Sequence, residues 1–200
     1  MKTILEQMVE SYQPKNNEEK RNVVKEVMQE ITLCALSKAG FFDVAAFYGG
    51  TALRIFYGLD CFSEDLDFSL MTKNQDFDLS TYVPTLKLLV QSFGLNVDVE
   101  IKHKTLDSAI QSAFLKGDTI EQFLLFYPND LVTGINKNEK VKIKFETDTM
   151  PAGLATYETK YRLLPMPYSI KLYDEASLFS GKIHAVICRS WKSRVKGRDL

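Results

Sequence analysis

Gly49-Gly50-Thr51-Ala52-Leu53-Arg54-Ile55-Phe56-Tyr57-Gly58-Leu59-Asp60-Cys61-Phe62-Ser63-Glu64-Asp65-Leu66-Asp67-Phe68 is the stretch that decides how this chain is read. An apolar run, Val44 to Tyr48, leads into it and reads as a short strand. Gly49-Gly50 then makes a turn whose bare backbone lets N–H groups approach a phosphate. Thr51 fits the N-cap of a helix over about 52–58, with Gly58 placed to close it. Glu64 to Leu70 is the next strand. Its alternation sends Leu66 and Phe68 to the core and Asp65 and Asp67 to the other face. Two carboxylates so placed repel each other unless a cation lies between them. Mg²⁺ is commonly held by one or two carboxylates completed by triphosphate oxygens.

A second metal ion would want a further carboxylate from a neighbouring strand. Lys142-Ile143-Lys144-Phe145-Glu146-Thr147-Asp148 offers candidates. Ile143 and Phe145 share one face, and Lys144, Glu146 and Asp148 share the other. Glu146 is the first choice for the third acid and Asp148 the alternative. Asp98 and Glu100, in the alternating run Leu95 to His103, read instead as a solvated strand face.

The flanks fill in the architecture. Residues 3–12 form a short helix and 18–38 a longer one, with Val23, Val24, Val27, Met28 and Ile31 on an apolar stripe. Residues 78–93 read as a helix and 119–127 as a strand. Lys140 to Thr147 and Tyr168 to Tyr173 read as strands, and Ala176 to Arg189 as a helix. Pro151, Pro165 and Pro167 mark an irregular connection. The order implies a mixed sheet flanked by helices, an α+β or α/β fold, and α+β is the expectation taken forward. The boundary is expected at 165/166: a core over 1–165, then the start of a helical C-terminal region over 166–200.

Composition narrows the partners. Of 200 residues, 45% are hydrophobic and 26% charged, enough to bury a core and too apolar for a disordered chain. The formal net charge is −1, so any polyanion site must be a local patch. No apolar run suits a membrane span, and the start of the chain does not resemble a signal peptide. Cys34, Cys61 and Cys188 lie far apart and read as reduced thiols of a cytoplasmic protein.

Three ordered blocks carry a resemblance. They are Phe41 to Phe68 with the Gly-Gly-Thr and Asp-x-Asp signatures, Ile143 to Thr149 with Pro151 behind it, and Leu178-Phe179-Ser180-Gly181-Lys182-Ile183-His184-Ala185 continuing to Gly197-Arg198-Asp199. Together they resemble the AbiEii/AbiGii toxin nucleotidyltransferases, within the DNA polymerase β-type superfamily. The resemblance implies that fold and a helical C-terminal region that relatives carry further than Leu200. It implies that Gly49, Gly50 and Thr51, with Arg54 and Ser63, contact a nucleoside triphosphate. Asp65, Asp67 and Glu146 would hold Mg²⁺ in a two-metal site, Lys182 would meet phosphates, and Asp199 would complete the catalytic set. The acceptor would be RNA, such as a tRNA 3′ end, and a cognate antitoxin would act without necessarily touching the toxin. Relatives often carry Arg where Cys61 stands, and Cys61 reads as a packing residue.

Two other classes stay open at this stage: transfer to a small molecule or protein side chain, and nucleotide binding without turnover. Arg189, Lys192, Arg194, Lys196 and Arg198 around Trp191 read equally as an RNA contact or a solvated helix end. His103 reads as a surface residue. His184, two positions past Lys182 on a helix, reads as packing.

Overall fold

The structure, a computed structural model, describes residues 3–102, 109–127 and 139–188. In chain order the elements are α1 (Ile4–Glu10), α2 (Asn17–Lys38), β1 (Ala45–Tyr48), α3 (Gly49–Tyr57), β2 (Asp65–Leu70), α4 (Val83–Ser92), β3 (Val97–Lys102), β4 (Ile110–Asp118), α5 (Thr119–Phe126), β5 (Lys140–Asp148), β6 (Tyr157–Arg162), β7 (Tyr168–Tyr173) and α6 (Glu175–Cys188). The strands make one mixed sheet in the order β3-β4-β5-β2-β1-β7-β6. β2 runs parallel to β5, and β1 parallel to β7; the other pairs are antiparallel. The fold is α+β.

The long helix forms where its sequence says it should. The Asn16 side chain accepts the Glu19 N–H at its start, and Gly40 turns the chain away at φ 77°. Its apolar stripe packs into a core with Phe41, Phe47, Leu66 and Phe68, all fully buried. Phe41 meets Phe68 edge-on, with ring centroids 5.0 Å apart. This core supports the sheet's centre, where β2 lies between β1 and β5.

Three expectations change. Residues 119–126 are a helix, not a strand: Asp118 accepts the Glu121 N–H as its cap, and Phe123 and Phe126, three apart, are buried together. β4 and β6 are strands where none was expected. β4 breaks the apolar alternation, since Ser112 and Ala113 are both buried in succession. β6 has no fully buried residue, so it carries no hydrophobic pattern. The boundary expected at 165/166 falls within the sheet, because β7 pairs with both β1 and β6. Among the described residues no helix is long and apolar enough to cross a membrane.

Candidate active site

β1 passes into α3 without a loop. The helix starts at Gly49, not at 52 as the sequence suggested, and Tyr48 is its N-cap. No side chain caps this end, and no acid lies in its first turn. The free N–H groups of that turn therefore face outward with the positive end of the helix dipole. Such a terminus suits a phosphate. Thr51 does not cap the helix. It is fully buried, and its hydroxyl donates to the Asp65 carbonyl at 2.5 Å. One hydrogen bond thus ties the glycine turn to the first residue of β2. Thr51→Val removes that donor at constant shape, and we expect a loss of about 1–3 kcal/mol of stability with reduced activity. Unchanged urea midpoints would show that water replaces the bond.

Asp65 and Asp67 are half-buried on β2, alternating with fully buried Leu66 and Phe68. Asp67 sits opposite Tyr48 on β1 and Glu146 on β5. It also abuts the turn. A Cβ built on Gly49 would lie 2.6 Å from Asp67 Oδ2, and Gly49 has φ 86°. Only glycine accepts both conditions. The loop before β2 is fixed by Gln29 of α2, whose buried amide donates to the carbonyls of Ser63 and Glu64 at 2.9 and 3.0 Å. Sequence reasoning missed Gln29, which lies off the apolar stripe named for this helix.

These residues open onto a cleft of about 430 Å³. Gly49, Gly50, Ser63, Asp65 and Asp67 line it from the sheet side, and Lys182 lines it from α6. His184 lines the same cleft, against the expectation that it packs elsewhere. Of the third-acid candidates, Asp148 lines the cleft. Glu146 is engaged beside it: its carboxylate accepts from Ser112 Oγ at 2.9 Å and pairs with Lys144 Nζ at 2.7 Å. Arg54 is turned toward α2. Its Nε donates to Glu26, its Nη1 donates to the Leu59 carbonyl at 3.0 Å, and its guanidinium stacks on Phe62. Asp199 and the basic tail from Arg189 onward lie outside the described residues, as does His103.

Tyr48 and Tyr173 complete the lining, stacked with centroids 5.3 Å apart. Burial, then the Asp67 and Asp148 carboxylates, push the Tyr48 hydroxyl's pKa up, so it stays a proton-bearing donor beside the acids. Sequence reasoning passed over this residue because a Tyr ending an apolar strand looks like core. Among the described residues no three His, Cys, Asp or Glu side chains form a ready-made metal cage. The Asp65/Asp67 pair still fits Mg²⁺, a cation that usually completes its shell with waters and phosphate oxygens.

A glycine turn at a helix start is thus pressed against an Asp-x-Asp strand, with a lysine across the cleft. Residues 31–200 match the profile described as nucleotidyl transferase AbiEii toxin, type IV TA system. The chain belongs to the AbiEii family. The crystal structure of JHP933 from Helicobacter pylori is similar over 89% of this chain and 62% of that one, at 20% identity and a TM-score of 0.51. A candidate nucleotidyltransferase from H. pylori is similar over 86% of this chain and 61% of its own, at 19% identity and a TM-score of 0.48. At 20% identity the likeness to JHP933 concerns the fold alone, and this AbiEii chain spans about 62% of that protein's length. No curated protein matches the chain in sequence.

Proposed function

We propose that this AbiEii chain transfers a nucleotidyl group from a nucleoside triphosphate to an acceptor hydroxyl on RNA, a tRNA 3′ end being the leading case. The observation that carries the reading is the direct contact of Gly49 with Asp67 at the floor of the cleft. Phosphate-binding backbone and carboxylates there face one space. The Gly49 and Gly50 N–H groups bind the triphosphate. Lys182 offsets charge on the departing pyrophosphate. Asp65 and Asp67 would hold Mg²⁺, which when bound neutralises phosphate charge and makes the acceptor hydroxyl more acidic. The proton of that hydroxyl passes to the third carboxylate. Asp148 lines the cleft, whereas Glu146 must first give up Lys144 or Ser112. Within a type IV system the chain acts as the toxin, and the antitoxin opposes it without needing to touch it.

The test is incubation with each α-labelled triphosphate and total tRNA, with Mg²⁺ or with EDTA. Label should enter RNA only with Mg²⁺. If the Asp65→Ala/Asp67→Ala protein labels RNA equally, the reading is wrong. Asp148→Asn and Glu146→Gln run beside it identify the proton acceptor: the correct one costs about 10²-fold or more in kcat.

A further inference from the structure

A second groove, of about 560 Å³, shares Asp65 with the cleft as a lining residue. Its floor is one face of β5. Lys140, Lys142 and Lys144 occupy alternate positions there, and the same face continues into Glu146 and Asp148. Alternate residues on a strand stand about 6.7 Å apart, so the lysines form an evenly spaced strip. The strip ends at the candidate site, because Lys144 is the register partner of Asp65.

The charges in this strip are cancelled only at its inner end, where Lys144 pairs with Glu146 at 2.7 Å. In the groove walls Arg21 pairs with Glu139 at 3.7 Å and Lys25 with Glu64 at 3.2 Å. Lys140 and Lys142 form no ion pair among the described residues. Lys116 stands directly opposite Lys142 on β4, a like-charge pairing that strands ordinarily avoid. Lys116 is held by an ion pair with Glu100 on β3, and both lysines lie against Phe114, a half-buried ring with Lys142 Nζ 4.0 Å from its centroid and Lys116 Nζ at 5.8 Å. A chain with formal charge −1 thus keeps two β5 lysines, Lys140 and Lys142, without an ion pair among the described residues, Lys142 over an aromatic ring and both in line with the acidic cleft.

We propose that this groove binds the acceptor as a single strand of nucleic acid, its phosphates on the β5 lysines and a base against Phe114, with the 3′ end delivered past Lys144 to Asp65 and Asp67. This deepens the function proposed above and rests on it for the identity of the reacting end. Cations that track a backbone and an aromatic ring for bases are the two elements that sequence-tolerant single-strand sites share.

Lys140→Gln/Lys142→Gln tests it, since both side chains are exposed and neither belongs to the catalytic set. Binding of a fluorescent single-stranded oligoribonucleotide is followed by anisotropy over a salt series, with triphosphate binding measured on the same samples. The double variant should bind the strand about tenfold more weakly at moderate salt, with a salt slope shallower by about 1.4, because two phosphates are no longer neutralised. Triphosphate affinity should be unchanged. Wild-type strand affinity and slope in the variant would overturn the proposal, and so would tighter binding of a duplex than of the single strand. Strand binding that depends on these lysines without any transfer would leave the groove standing and remove the enzymatic reading. Transfer to RNA that is indifferent to both lysines would do the reverse.

Discussion

Asp67→Asn is expected to lower nucleotidyl transfer by about 10³-fold while leaving the unfolding midpoint nearly unchanged. Asparagine keeps the shape that packs against Gly49, so the turn does not move. What it removes is one negative charge that would hold the cation in the function proposed above. Gly49→Ala should reach a similar loss by another route. A methyl group at that position would stand 2.6 Å from Asp67 Oδ2 and 3.2 Å from Asp67 Cβ. The φ of 86° adds strain that alanine cannot relieve. Either Asp67 swings away or the helix start shifts, and both disturb the placing of the carboxylate against the glycine turn. The distinguishing readout is stability. Gly49→Ala should cost about 1–3 kcal/mol in urea unfolding, whereas Asp67→Asn should cost little. Full activity in either variant would mean that the contact is packing and that the cleft serves another purpose.

That contact was legible in the sequence as two halves, a bare turn and an acidic pair on a strand, joined by a short helix. Pattern alone could not state their distance, which is set by β1 and β2 pairing antiparallel with Tyr48 beside Asp67. The same limit explains the misplaced helix start. Thr51 has the chemistry of an N-cap, yet burial against β2 gave its hydroxyl a better acceptor in the Asp65 carbonyl. The α5 segment Thr119 to Phe126 failed differently. Its dense aromatic and aliphatic residues suit a buried strand, and only Asp118 capping Glu121 revealed a helix. Lys142 to Asp148 draws notice in the sequence for its acids. Its lysines acquire meaning only once Lys116 and Phe114 are brought alongside from β4, a strand whose pattern is too irregular to find. Tyr48 and Gln29 belong to the same class: each looks ordinary until the tertiary fold gives it a neighbour.

Arg54 is where sequence and structure suggest different work, and its replacement has a large expected effect. Its guanidinium is 18% exposed and pairs with Glu26, which is 6% exposed. Arg54→Ala leaves a buried carboxylate without its cation, so we expect a loss of about 3–5 kcal/mol. The pH dependence follows from the direction of the Glu26 shift. Burial raises that carboxyl above its ordinary 4.5, and Arg54 partly opposes the rise. With the folded pKa above the unfolded one, the fold takes up a proton: stability from this group is full below 4.5 and is lost as pH rises through the folded value. Removing Arg54 lifts the folded value further. The deficit of Arg54→Ala should therefore be greatest at neutral pH and shrink as the solution is acidified. Glu26→Leu/Arg54→Met, which replaces the pair by apolar groups, should recover most of the stability at every pH. That double variant also decides whether Arg54 contacts the nucleotide. If the guanidinium serves only to hold Leu59 and Phe62 in place ahead of β2, KM for the triphosphate should change by less than about twofold once stability is restored. A KM raised tenfold with kcat retained would instead put the guanidinium on a phosphate in the bound state.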